Sequence, residues 1–473
     1  MKIACIFMPW HQRESPPSEF ASMISLVKGM GHRAFVFDIN NGIFSENFNR
    51  RSYWKYLSLD VPEELEQAFY AESEEILKIY CNEIVSKGPD IILFKSIANT
   101  YKNALHFARI LKAENQDRLI IFTGKYAVTK KDVEFLSERQ EDSPFDFIIC
   151  GQDEVALPRL LNAIEQQEMP GFDLSFKRNG KVIDCIEGPV LQNLDELPFL
   201  DFSDSDFNTY KNPKRIEMFT SRGCLWKCSF CVNCVIGGQY RSMSGKRILQ
   251  EILYQLNFRK EIEHIRFGDS AINGNIQALG DFCDLILREY EKGLPKLQWS
   301  GDAMITPQMT EELLLKMSAA GCLGIGYGLE SGCQQVVKDM SKPFSIALAE
   351  RVIRDTYRAS IKTSVNIMTG FPTESNSDFQ ETLRFIERNR ENINEIRLAF
   401  NGCRLCEGSY LYDYPEKFGI TTFDIDKWVS NDGTNTFEER TKRAEEVCRL
   451  VLSLGIELMF NGRPRRKPDL MKI

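Results

Sequence analysis

The sequence predicts an α/β chain in two unlike halves. An open, doubly wound five-stranded parallel sheet comes first, then a partial barrel of six βα units and a short α-rich cap. Three observations predict it. The first 168 residues alternate short apolar runs with amphipathic helical stretches. A second alternation begins near Arg215 and gives six units, short of the eight that close a full barrel. Between the two, residues 169–210 lose the rhythm.

The first-half runs are "KIACIFM" (Lys2 to Met8), "AFVFDI" (Ala34 to Ile39), "DIILFKS" (Asp90 to Ser96), "LIIFTG" (Leu119 to Gly124) and "FDFIIC" (Phe145 to Cys150). Strands covered by helices on both faces read as continuous apolar runs rather than alternating ones. Segments such as Glu64 to Ser86 and Asn99 to Ala113 supply the helices. The result is a Rossmann-like (flavodoxin-like) domain over residues 1–168, in which ligands sit at the carboxyl ends of the strands. Those loops begin at Pro9, Asn40, Ser96, Gly124 and Gly151. Residues 169–210 read as a linker with a hairpin around Asn179-Gly180, a strong two-residue turn signal. Over residues 211–406 the strands are "RIEMFTS", "HIRFGDS", "LQWSGDA", "LGIGYGLES", "TSVNIMTG" and "EIRLAFNG", a partial (β/α)6 barrel of the TIM type. Residues 407–473 are the cap, with Glu438 to Leu454 its clearest helix.

The formal net charge of −8 over 473 residues offers no whole-chain electrostatic case for nucleic-acid binding. The basic run "RPRRKP" near the end reads as a solvated terminus. No run of about 18 apolar residues occurs, so no membrane span is expected. The N-terminal apolar run is too short for a signal peptide, and a cytoplasmic protein with reduced thiols is expected.

The chemistry concentrates in "RGCLWKCSFC". Cys224, Cys228 and Cys231 lie within eight residues, just after the first strand of the second half, and Cys234 follows. The mouth at a barrel's carboxyl end is where its chemistry sits. Three thiolates can each hold one iron of a cubane cluster and leave the fourth iron open to a small molecule. The alternatives are a structural zinc site, which prefers two separated ligand pairs, or three unrelated thiols.

"TSRGCLWKCSFC" resembles the signature of the radical S-adenosylmethionine (radical SAM) superfamily. "YRSMSGKRILQEI", "FGDS", "AGCLGIGYGLESG", "MSKPFS" and "GFPTES" resemble further blocks of that family, in order. With the sheet before it, the chain is similar to the branch that carries a cobalamin-binding domain, over about residues 1–410. The resemblance implies a [4Fe-4S] cluster on Cys224, Cys228 and Cys231, with S-adenosylmethionine on the open iron. Phe230 would lie against adenine, and Asp269 and Ser270 would accept from the methionine amino group. Glu330 and Ser331 would lie near the ribose or methionine end, and Arg241 would pair with a carboxylate. Gly326, Gly328 and Gly370 would allow close backbone approach. Cobalamin would meet Ser96, Gly124, Tyr126, Gly151 and Glu154.

The pattern departs from the family in places. The N-terminal sheet has no D-x-H-x-x-G run to give cobalt a histidine. Lys125 and Tyr126 are bulky where relatives have a small turn, and Gln152 takes the first acidic place of the fifth-strand loop. Met304 stands where an arginine is often found, with Asp302 nearby. Cys403 and Cys406 form a C-x2-C without a partner pair, and either could be a hydrogen donor in the mouth. His11, beside Trp10, reads as a surface or packed histidine. The implied activity is reductive cleavage of S-adenosylmethionine to a 5′-deoxyadenosyl radical, hydrogen abstraction, and methylation of an unactivated carbon by a C-methyltransferase. The other readings are a radical cyclase, ring-contraction or rearrangement enzyme, and an iron–sulfur electron-transfer or sensing protein that uses Cys234 as a fourth ligand. The implied partners are a small-molecule or peptide substrate and an electron donor such as flavodoxin or ferredoxin, with no nucleic acid and no membrane.

Overall fold

The computed structural model describes residues 1–9, 11–46, 63–96, 100–124, 143–149, 152–168, 177–178, 181–182, 190–233, 237–398, 402–460 and 463–465. The chain divides into two compact units. One comprises Met1–Glu217 with Tyr254–Ile262, the other Met218–Leu253 with Glu263–Ile473.

The first unit holds five strands: β1 (Lys2–Phe7), β2 (Arg33–Asp38), β3 (Ile91–Lys95), β4 (Leu119–Thr123) and β5 (Phe147–Ile149). Their order is β2-β1-β3-β4-β5, all parallel, which is the flavodoxin-like arrangement. The apolar runs of the sequence have the expected cause. Ala4 and Ile6 of β1 join one core cluster while Ile3, Cys5 and Phe7 join the other, so both faces are covered. The helices Ser18–Gly29 and Asp153–Glu165 supply one layer, Glu63–Ser86 and Tyr101–Glu114 the other. Asp153 and Glu154 in the first turn of their helix suit its positive end.

The hairpin expected at Asn179-Gly180 is present as β6 (Lys177–Arg178) paired antiparallel with β7 (Lys181–Val182). The end of the expected linker packs against the first unit rather than standing apart from it. Ser25 donates to Phe199 O at 2.6 Å, Lys28 pairs with Asp201 at 3.0 Å and Asp204 at 2.6 Å, and Tyr210 bonds Asp38. The acidic composition of "DFSDSD" thus serves a fixed ion-pair partner, Lys28.

In the second sheet the six expected strands are β8 (Arg215–Met218), β11 (His264–Phe267), β12 (Gln298–Ala303), β13 (Cys322–Glu330), β14 (Lys362–Ile367) and β15 (Glu395–Leu398). They lie in chain order, and β11 through β15 are parallel. The sheet goes further than the six expected units. Strand β18 (Glu457–Phe460), delivered by the helix Phe437–Ser453, adds parallel to β15, and β19 (Arg463–Arg465) adds antiparallel beyond it. Among the described residues two further small antiparallel pairs occur: β9 (Ser221–Arg222) with β10 (Arg241–Ser242), and β16 (Ile420–Thr422) with β17 (Val429–Ser430).

No described helix is long and apolar enough to cross a membrane.

Candidate active site

The cysteine loop leaves β9 and returns to β10, so an antiparallel clasp closes its neck. Gly223, at φ +75°, enters it. A Cβ there would lie 2.6 Å from Gly238 O, and one on Gly237 would collide with Gly223, so two bare backbones cross at the neck. Asp269, at the carboxyl end of β11, holds the neck from below. Its oxygens accept from Thr220 N at 2.9 and 3.1 Å, Thr220 Oγ1 at 3.1 Å and Ser221 Oγ at 2.5 Å. Burial pushes this carboxyl upward in pKa, and those bonds oppose the shift. The carboxylate therefore positions the loop that carries the cysteines. Ser270, beside it, is exposed.

Cys224 and Cys231 are half-buried and Cys228 is 9% exposed. Asn233 N–H points at Cys231 Sγ from 3.5 Å, a donor suited to a thiolate. Ser229 anchors the loop from both sides. Its N–H donates to Met340 O at 3.0 Å, and its carbonyl accepts from Leu411 N at 2.7 Å. Phe230 is half-buried against an apolar cluster that includes Met340, Phe371, Leu411 and Trp428. Among the described residues no three His, Cys, Asp or Glu side chains converge as ligands of one metal ion. A cubane cluster takes one thiolate at each of three corners, so its ligands do not meet at a point. The three-thiol donor set of this loop suits such a cluster. Cys234 lies outside the described residues.

Glu330 ends β13 with φ +70°, after a register shift past Gly328. Burial drives its carboxyl up and Lys342, 3.5 Å away, opposes that. Ser331 is fully buried, bonding Thr382 Oγ1 at 3.1 Å and accepting from Cys333 N at 3.1 Å. Arg241 is buried with Nε donating to Gln239 O at 3.2 Å, and its backbone forms part of the clasp.

The glycines are closely packed within the chain itself. A Cβ on Gly326 would collide with Asp302, which pairs with Arg397 at 2.8 Å and with Arg266. Asp302 and Arg397 lie three strands apart, so this pair spans the inner face of the sheet. A Cβ on Gly328 would come 2.9 Å from Glu330 Oε1 and 3.3 Å from Lys342 Nζ. One on Gly370, at φ +70°, would collide with Arg440. Each glycine makes room for a charged side chain. Met304, in the place of the expected arginine, is buried, with its backbone paired to Asn273 at 2.8 and 2.9 Å.

Two buried arginines tie the "GFPTES" segment to the cap. Arg440 has no exposed surface, lies 3.9 Å above the Trp428 ring and donates to Trp428 O at 3.2 Å and Asn435 Oδ1 at 3.2 Å. Arg443 pairs with Glu374 at 2.9 Å, and Glu374 also accepts from Gly370 N at 2.7 Å. Burial lifts Glu374 to about 7 even against Arg443. Its unfolded value is near 4.5, so between these pH values the folded chain keeps a proton that the unfolded chain has released. The stability from this group is full below the unfolded value and is lost as pH rises through the folded one. We expect Glu374→Gln to flatten that pH dependence, read as urea midpoints at acid and neutral pH.

Cys403 is buried, and burial pushes its thiol well above the usual range. Its carbonyl accepts from Trp428 Nε1 at 2.8 Å. Cys406 is exposed.

In the first unit Ser96 follows β3. Its N–H donates to Thr123 O at 2.7 Å and its Oγ meets Thr100 Oγ1 at 2.9 Å. A Cβ on Gly124 would lie 2.5 Å from Ser96 O. Glu154 is half-buried in the first turn of its helix. Beside them is a group the sequence did not suggest. Lys95 pairs with Asp153, which also accepts from Thr123, and both charged side chains are buried. Tyr126, Lys125 and Gly151 lie outside the described residues. His11 is packed edge-on to Phe7 at 5.3 Å, and burial lowers its imidazole to about 4.

Residues 218–386, from the end of β8 through the helix after β14, match the model of the Radical SAM superfamily. The chain carries a radical SAM domain. That domain implies a [4Fe-4S] cluster and S-adenosylmethionine, and the cysteine loop lies inside the matched span. An uncharacterized methyltransferase of Pyrococcus horikoshii is 24% identical over 334 residues, which is 69% of this chain and 70% of that protein. The anaerobic magnesium-protoporphyrin IX monomethyl ester cyclase of Cereibacter sphaeroides is 24% identical, over 52% of this chain and 41% of the cyclase. Among solved structures, the radical S-adenosylmethionine methyltransferase TsrM of Kitasatospora setae, with cobalamin and a [4Fe-4S] cluster bound, superposes with a TM-score of 0.62 at 14% identity. That match covers 93% of this chain and 81% of TsrM. At that identity the likeness is one of fold.

Proposed function

We infer that the chain is a cobalamin-dependent radical SAM enzyme that methylates an unactivated carbon. One observation carries this reading: a three-cysteine loop at the mouth of a radical SAM domain and a flavodoxin-like sheet occur in one chain. The TsrM and Pyrococcus methyltransferase likenesses support it.

The residues divide the work. Cys224, Cys228 and Cys231 hold the cluster, with Asp269 and Ser229 fixing the loop. A [4Fe-4S] cluster held there would supply the electron for reductive cleavage of S-adenosylmethionine. Glu330 presents an anion to the cationic cofactor, and Phe230 offers an apolar ring to its adenine. Ser96 and Glu154, at the carboxyl edge of the first sheet, stand where such sheets bind ligands. Cobalamin would supply methyl transfer from there. Closing water out of the mouth protects the radical.

The cyclase likeness favours a second reading, radical ring closure without methyl transfer. S-Adenosylmethionine labelled in its methyl group separates the two. Label in the product is the expected result, and a product rearranged without added mass contradicts methylation.

A further inference from the structure

We propose that Lys342 is a positioning residue of the radical SAM site. It holds the Glu330 carboxylate against the aromatic side of the cysteine loop, fixing the anion that faces the sulfonium cofactor. The proposal rests on the reading that Glu330 lines that cofactor's place.

Lys342 is only 7% exposed. Its Nζ donates to Gly328 O at 2.9 Å and lies 3.5 Å from Glu330 Oε1. It also stands 5.7 Å from the Trp226 ring centre and 5.6 Å from that of Phe230, within reach of a cation–π attraction. Trp226 and Phe230 flank the cluster ligand Cys228. One ammonium thus touches the carboxylate, the strand that delivers it and the loop that carries the thiols.

The backbone around Lys342 is equally constrained. It follows the helix Gln334–Asp339, with Lys342 N donating to Val337 O at 3.1 Å and Ser341 at φ +61°. Met340, in the same turn, accepts the Ser229 bond that anchors the cysteine loop. Gly328 leaves the space in which the carboxylate and ammonium meet.

A buried ammonium is costly to keep unless its partners compensate it. Here they are a carboxylate, a carbonyl and two ring faces. Burial alone moves Glu330 toward its neutral form, and Lys342 opposes this. Without the ammonium, the carboxylate is free to turn away or take a proton, and either weakens its attraction for a cation.

The test uses the full chain, reconstituted anaerobically, in four forms: Lys342→Met, Lys342→Arg, Gly328→Ala, and the Lys342→Met/Gly328→Ala double variant. Iron and sulfide content, the urea midpoint and the S-adenosylmethionine dissociation constant are read for each. We expect Lys342→Met to bind the cofactor about tenfold more weakly with unchanged iron content. Lys342→Arg recovers most of that loss. Gly328→Ala, which drives a Cβ between the pair, weakens binding without touching the cysteine loop. The double variant is no worse than the poorer single one, because both break the same contact. If Lys342→Met lowers the urea midpoint but leaves cofactor affinity intact, or if the two losses add, the proposal is overturned. Should Lys342→Met not fold, Gly328→Ala decides by the same affinity measurement. A wild-type chain that takes up no cluster overturns the underlying reading instead, and iron content reports that separately.

Discussion

Replacing Cys228 with alanine is expected to abolish the iron–sulfur absorption of the reconstituted protein, and with it cleavage of S-adenosylmethionine. The same holds for Cys224 and Cys231. On the proposed reading each thiolate would hold a separate iron, so none could cover for another. The loop around them should survive the change. Its shape is set by the β9–β10 clasp, the Gly223–Gly237 crossing, four bonds to Asp269 and the two anchors on Ser229. A Cys228→Ala chain should therefore melt with the apo wild type while binding no cluster. Absorption scans after anaerobic reconstitution, paired with thermal melts of the apo forms, check both parts. A variant that keeps the full spectrum removes that cysteine from the ligand set.

Arg440→Leu is expected to destabilise the fold strongly. The guanidinium has no exposed surface, covers Trp428 and donates to the carbonyls of Trp428, Asp426 and Asn435. Leucine leaves these buried acceptors without their donor. The arginine side chain also packs on Gly370, where a Cβ would collide with Arg440 Cγ. Breaking a buried charged network of this kind costs about 3–5 kcal/mol. Lysine is no substitute, because one ammonium cannot span carbonyls that a planar fork reaches together. Equilibrium denaturation should show the loss, and a change under about 1 kcal/mol contradicts this account of the cap.

The sheet strands were legible because their burial leaves a local trace. The β1 run is apolar throughout since its alternate residues enter two different cores, and that needs only neighbouring letters to see. Strand β18 left no such trace. It is four residues, "ELMF", behind a long helix, and only pairing with β15 makes it a strand. The cysteine loop was legible from spacing. Its supports were not, since Asp269 lies 45 residues beyond Cys224 and Met340 and Leu411 further still. The glycines show the same limit. Gly326, Gly328 and Gly370 suggested close backbone approach, and the side chains nearest those positions are Asp302 and Arg397, Glu330 and Lys342, and Arg440. Sequence reports that a Cβ is unwelcome without reporting what excludes it. Lys342 itself sat unremarked inside "MSKPFS", where a lysine gives no sign of being buried.

The central claim is that three cysteines hold a cluster whose fourth iron is open to S-adenosylmethionine. Electron paramagnetic resonance of the dithionite-reduced protein, with and without S-adenosylmethionine, tests it most directly when run on wild type and Cys234→Ala. The account predicts a reduced-cluster signal in both, shifted in both by the added cofactor. A signal that ignores S-adenosylmethionine, and that disappears in Cys234→Ala, would contradict it.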